Sequence, residues 1–289
     1  MRKALVTTLT LTTVAALGLG LGPVGASATD RHERNGDSRE EELKVIGLAG
    51  DRTLVLFDTE RPGRARDLGS VRGLEPADRE LVGIDYRVQD GTLYGVGRGG
   101  GVYSIDPGTR QATRFAQLSI ALEGTDFGVD FNPAANALRV VSDTGQNLRQ
   151  PFATPGAATV ADGRLSTPPT AGTTTGVTGA AYTNNDLDPA TATTLYDLAT
   201  ATNQVVIQSP ANAGTLAPTG TTHVDLAGDT GFDIYSEVRN GQAVELFPYA
   251  VSGGRLYDVE LFNGQLKDAG RIGRGNLHVT DLAIPLNQL

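Results

Sequence analysis

Cysteine and tryptophan are both absent from the sequence, methionine occurs once and histidine three times. Without cysteine there is no disulfide, no thiolate metal site, no cysteine nucleophile and no lipid-modified cysteine. The core alone must hold the fold, and 289 residues are enough for that. Aromatic residues make up only 6%, which argues against a sugar-stacking platform, although eight tyrosines are available. Basic residues are outnumbered 24 to 33 by acidic ones, giving a formal charge of -9. That balance disfavours nucleic acid and anionic membranes as partners, because phosphates are met by Lys and Arg. Catalytic signals are poor as well. No His-Glu-x-x-His or Gly-x-Ser-x-Gly motif occurs, and His32, His223 and His278 read as surface residues. Gly97-Arg98-Gly99-Gly100-Gly101 precedes no helix, so it reads as a hairpin turn and not as a phosphate loop.

What is present begins with an export signal. Arg2 and Lys3 precede an apolar stretch from Ala4 to about Leu21; Pro23 and Gly25 then break it, and Ala26-Ser27-Ala28 forms an A-x-A cleavage site. Residues 1–28 are therefore expected to be a signal peptide, and the mature protein to be secreted, with no membrane span. Residues 29–43 are dense in charge and poor in apolar groups, a composition expected of a flexible leader. Residues 44–289 then form one domain.

Within that domain, short alternating apolar runs are separated by Gly, Asn, Asp and Pro clusters, the grammar of strands and turns. Four segments share a start: Val82-Gly83-Ile84-Asp85-Tyr86, Phe127-Gly128-Val129-Asp130-Phe131, Thr178-Gly179-Ala180-Ala181-Tyr182 and Thr230-Gly231-Phe232-Asp233-Ile234. The spacing from Gly83 to Gly128 is about 45 residues and the next two intervals are about 51 and 52, within the range of propeller blades. Each start is followed by further strand-like runs, such as Thr92–Val96, Gly101–Ile105 and Gln111–Phe115 in the first copy and Val244–Phe247 in the fourth.

The two ends of the chain complete the count. Val279-Thr280-Asp281-Leu282-Ala283-Ile284 resembles a repeat start with nothing after it, whereas Lys44–Leu48 and Thr53–Phe57 resemble later strands with no start before them. The sequence therefore predicts an all-β, five-bladed β-propeller, closed by pairing of the C-terminal strand with the N-terminal strands. Such pairing protects strand edges that an open ring would expose.

Asp85, Asp130 and Asp233 occupy one equivalent position in the repeat, with Ala181 and Ala283 in the other two copies. On inner strands these carboxylates approach the channel, and two readings are open. They form an oxygen-ligand cation site, for which Ca2+ is the expected metal, or each accepts hydrogen bonds from a neighbouring blade's backbone. A dense polar set, Asn132, Arg139, Asp143, Gln146, Asn147, Arg149, Tyr182, Asn184 and Asn185, forms the candidate ligand site, with turn chemistry as its alternative. Asn184-Asn185-Asp186-Leu187-Asp188 places oxygens at alternate positions as calcium loops do, but lacks their Gly and bidentate Glu.

The runs Gly124–Pro133, Leu138–Ser142, Gly145–Arg149 and Ala181–Asp186 resemble the bacterial exported family called domain of unknown function 4394, over about residues 44–286. The resemblance implies an exported propeller and supplies no activity. Function is thus expected to be that of a non-catalytic extracellular module binding a ligand or protein. A calcium-dependent hydrolase with its metal in the channel and a structural cell-envelope protein are the alternatives.

Overall fold

The computed structural model describes residues 42–274 and 277–289. The expected signal peptide, and the leader up to residue 41, lie outside the described residues. Twenty strands build five antiparallel four-stranded sheets arranged as the five blades of a β-propeller. β1 (Lys44–Ala49), β2 (Thr53–Asp58) and β3 (Arg66–Ser70) come first. Blade 1 follows as β4 (Leu81–Arg87), β5 (Thr92–Gly97), β6 (Gly101–Asp106) and β7 (Gln111–Gln117). Blade 2 is β8 (Phe127–Asn132), β9 (Ala137–Ser142), β10 (Asn147–Pro151) and a two-residue β11 (Val160–Ala161). Blade 3 is β12 (Val177–Tyr182), β13 (Leu195–Ala199), β14 (Gln204–Gln208) and β15 (Leu216–Thr221). Blade 4 is β16 (Gly231–Arg239), β17 (Gln242–Ser252), β18 (Arg255–Val259) and β19 (Leu266–Arg271). The last strand, β20 (Val279–Ala283), is the inner strand of blade 5, whose order is β20-β1-β2-β3.

The closure expected from the two half-repeats is present. β20 runs antiparallel to β1, with Ile46 opposite Ala283, Gly47 opposite Leu282 and Leu48 opposite Asp281. Inner strands touch in cyclic order, β4 with β8, β8 with β12, β12 with β16, β16 with β20 and β20 with β4. Apolar side chains fill each seam between blades, because each sheet buries both of its faces. The blade 4–blade 5 seam, for example, packs Val45, Phe57, Tyr235, Leu256, Ile272 and Leu282 into one cluster.

The repeated glycine lets inner strands approach closely. A Cβ on Gly128 would lie 2.7 Å from the backbone nitrogen of Ala180, and one on Gly231 would lie 2.4 Å from Cα of Asp281. No other residue fits these positions without moving a neighbouring strand.

One strand is longer than its sequence run indicates. Val244–Phe247 is part of the eleven-residue β17, which continues through Pro248. Pro248 lies opposite Ile234 of β16, and β17 pairs with β18 only from Tyr249 onward. The ring nitrogen therefore sits where no third strand asks for a donor, which is where a strand tolerates proline. The β16–β17 hairpin projects past its neighbours as a result.

Leu282 is 1% exposed and lies in the closing strand. Leu282→Ala is expected to lower stability by about 2–5 kcal/mol in urea titration, and Leu282→Asp to prevent folding, read as loss of the far-UV strand signal.

Candidate functional site

Each blade's inner strand carries its repeat position toward the ring's centre, and Asp85, Asp130 and Asp233 meet there. One carboxylate oxygen from each lies within 4.8 Å of the others. All three side chains are buried. Both readings of the sequence have a geometric basis, since the same groups clasp the next blade. Asp85 Oδ2 accepts from the backbone N–H of Phe131 at 2.7 Å, and Asp233 Oδ2 from that of Ile284 at 2.7 Å. Asp130 accepts from the backbone N–H of Tyr182. The second oxygens of Asp85 and Asp233 accept from their own following residues, Tyr86 and Ile234, at 2.6 Å each.

A fourth carboxylate joins them. Asp281 of β20 is buried, and its Oδ2 accepts from Ile84 N–H at 2.8 Å, fastening blade 5 to blade 1. It stands at the glycine position of the repeat, two residues before Ala283, and its carboxylate reaches between Gly231 and Gly83. It occupies the wrong register for the acidic position, so the repeat does not point to it. The signal was the replacement of the recurrent glycine by aspartate in this copy alone.

Four seams are therefore clasped by an aspartate, and the blade 3–blade 4 seam is the exception. Ala181 offers no acceptor there, and Asn185 takes over. Its backbone N–H donates to Ser236 Oγ and its side-chain amide to the carbonyl of Ile234, both at 3.0 Å.

No lysine or arginine among the described residues pairs with any of the four channel carboxylates. Burial is the main cause that raises all four above the usual carboxylate range, and Asp233 is pushed up to about 6. For Asp85 and Asp130 the neighbouring carboxylates push in the same direction, and backbone N–H donors pull partly back. Two like charges about 4.8 Å apart repel by roughly 3–4 kcal/mol at an effective dielectric of about 20. Three such groups therefore call for protons or for a cation.

The inner strands begin and end at two unlike cavities. Where they begin, a cavity of about 180 Å³ is lined by Asp51, Glu80, Arg98, Asp126, Asp229 and Thr280 among others. Asp126 is raised there by burial and by the nearby Asp143 and Asp229. His278 pairs with Asp229 at the same end. Where the strands finish, a cavity of about 200 Å³ is lined by Val88, Asn185, Leu187, Ser236, Val238 and Leu286 among others.

The nine polar side chains of the candidate ligand set fall into three groups. Asn132, Arg139, Asn147, Arg149 and Tyr182 gather at the blade 2–blade 3 seam. Arg139 is 1% exposed and donates to Tyr182 Oη, Asn147 Oδ1 and Asp162 Oδ2, while Arg149 also grips Asp162. Asn132 bonds Tyr182 and accepts from Ala135 N–H, three residues on. Asp143 and Gln146 hold the loop before β8, through Thr125 and through Glu123 and Ala121. Asn185 belongs to the far cavity's rim, and the Asn184 amide beside it donates to the carbonyl of Ala192. In the loop they open, the carboxylates face the projecting hairpin: Asp186 accepts from Ala243 N–H at 2.8 Å and Asp188 from the Gln242 amide at 2.6 Å. The alternate oxygens of this loop thus dock a hairpin.

No curated protein matches the sequence. Among solved structures, the allergen Mala s 1 of Malassezia sympodialis is 12% identical, with 72% of each chain covered and a TM-score of 0.40. PorZ, a surface component of the type-IX secretion system of Porphyromonas gingivalis, is 16% identical over 74% of this chain and 25% of that one, at 0.38. An auxiliary nutrient binding protein from Bacteroides thetaiotaomicron is 14% identical over 80% of this chain and 50% of that one, at 0.40. Likenesses this distant carry nothing about ligand or activity. The family described as Domain of unknown function (DUF4394) matches residues 53–283, and with its repeat, its ring and its motifs in that span the chain belongs to this family.

Proposed function

We propose that this protein is an exported, non-catalytic binding module whose channel holds a divalent cation, Ca2+, on Asp85, Asp130 and Asp233. The observation that carries the reading is the meeting of three buried carboxylates with no basic side chain to neutralise them. Their chemistry fits the ion. Calcium takes carboxylate oxygens at about 2.4 Å, so two ligands on opposite sides of it are up to about 4.8 Å apart. Because the three ligands belong to blades 1, 2 and 4, a bound ion would tie together inner strands that share no sheet. The ion's role here is to brace the scaffold. The cavity lined by Asn185 and Asn287, which offers both apolar walls and amides, supports recognition of a ligand at that end. The acidic cavity at the other end favours entry of cations. Export is supported by the features of residues 1–28.

A ligand of the native state alone stabilises it by about 2.7 kcal/mol at a hundredfold excess over Kd. Saturating Ca2+ is therefore expected to raise Tm by roughly 5–10 °C over the chelator-treated protein. An unchanged Tm at millimolar Ca2+ would remove the ion from this reading. Turnover of a glycoside, ester or phosphoester that depends on the ion would instead favour the hydrolase.

Direct binding can be followed with Tb3+, a luminescent stand-in for Ca2+, excited through tyrosine. Tyr86 adjoins Asp85, and Tyr182 donates its N–H to Asp130. Asp130→Asn keeps an oxygen to accept from Tyr182 and deletes only the charge. It is expected to fold and to lose most of the sensitised emission. Emission equal to the wild type would place the lanthanide elsewhere.

A further inference from the structure

At the blade 2–blade 3 seam one carboxylate stands without a partner. Asp197 of β13 is 0% exposed, and neither of its oxygens accepts a hydrogen bond among the described residues. It lies opposite Ala180 and Val206 in register, so it shares their face, which packs with Val141 and Leu165 of blade 2. The side-chain carbonyl of Gln208, on the same strand as Val206, is orphaned as well.

The cation that acts on Asp197 is Arg139 of β9. Its donors are turned elsewhere: Nε to Tyr182 Oη at 3.3 Å, Nη1 to Asn147 Oδ1 and Asp162 Oδ2 at 2.7 Å each, and Nη2 to Asn212 Oδ1 at 2.8 Å. Asp162 does not depend on Arg139 alone. Arg149 of β10 reaches both of its oxygens, at 3.1 and 3.2 Å. Two arginines thus serve one acid while its neighbour has none. The remaining polar groups facing the seam are neutral: Asn147 from β10, Tyr182 from β12, Gln208 from β14 and Asn212 from the short 3-10 turn Ala211–Ala213. Asp130 stands opposite Arg139 in register, but its carboxylate is engaged with Tyr182 N–H.

We propose that Arg139 is a shared counter-ion, bound to Asp162 while Asp197 carries its proton and drawn to Asp197 when that carboxyl ionises, with Arg149 keeping Asp162 paired. The exchange releases one proton to solvent and breaks no other covalent bond. A lone buried carboxylate is too costly to hold as an anion, so it stays neutral until a cation turns to it. Burial holds Asp197 well above the usual carboxylate range, and Arg139 draws it partly down. The folded state therefore keeps a proton that the unfolded chain gives up earlier. This seam is strongest in acid and weakens as pH rises through the folded value of Asp197.

The exchange has a local consequence. Arg139 now ties the segment after β11 to the Ala211–Ala213 turn, where Gly163 N–H donates to Asn212 O and Ser166 N–H to Gly214 O. When Arg139 turns away, these two segments keep only the anchor of Asn147, whose amide donates to Gly163 O and Ala211 O, and open more readily.

Amide hydrogen exchange on the full chain tests this, compared between the lowest and the highest pH at which the fold is intact and corrected for the intrinsic effect of pH on exchange. The wild type is expected to lose protection several-fold at Gly163 and Ser166 at the higher pH, and Asp197→Asn to lose the pH response there. A wild type equally protected at both values, or a variant that keeps the response, would overturn the proposal. Should Asp197→Asn fail to fold, Arg149→Gln serves instead. It strips Asp162 of its second partner, so Arg139 is held there and the response at Gly163 is expected to shrink, and a response like the wild type's would equally sink the idea.

Discussion

Ile46 lies opposite Ala283 and Gly47 opposite Leu282, and this short antiparallel ladder decides whether the other strands form a ring or an open arc. Every blade buries both faces against neighbours, so an arc would leave two apolar faces in water. A cysteine-free chain has no covalent means of preventing that. Closure is instead made cooperative. The same strand that pairs with β1 also supplies Asp281, which clasps blade 1, and receives Asp233 at Ile284. Backbone pairing on one edge and carboxylate clasps on the other fix β20 from both sides.

The clasps explain why carboxylates tolerate so dry a place. Each inner strand leaves N–H groups facing the bore, where no further strand can pair with them, and an unmet buried donor costs about 1–3 kcal/mol. In four of the five seams an aspartate from the preceding blade meets one such donor. The same solution repeated around a ring has a side effect, because it gathers acidic groups near one axis. Structural satisfaction and a cation-ready cluster are therefore one arrangement viewed twice. The backbone clasp is compatible with the proposed ion site on the same three groups.

Much of the fold was legible because it repeats. The interval between Gly83, Gly128, Gly179 and Gly231 exposed the blades, and incomplete copies at the two ends exposed the closure. The acidic trio was legible for the same reason, since position within a repeat fixes position around the axis. What broke the repeat was harder to see. Asp281 departs from the acidic register by two residues, and β17 continues through a proline that local rules treat as a stop. The polar residues of blades 2 and 3 were conspicuous by type, but type does not show direction. Arg139 turns into a seam, Gln146 toward a loop and Asn185 across to the next blade, each settled by tertiary contacts that spacing does not encode. Asp197 was the least legible of all, since a single acid within an apolar strand resembles any surface residue until its burial is known.

Ala181 removes one carboxyl group from a circle that otherwise has one in every blade, so the acidic groups around the axis are unevenly spread. The wall formed by blade 3 carries no carboxyl there, whereas blades 1, 2 and 4 carry Asp85, Asp130 and Asp233 and blade 5 carries Asp281 two residues away. These groups are consequently displaced to one side of the axis, and a cation held by them would sit away from blade 3. A nearly fivefold object thereby acquires a front and a back.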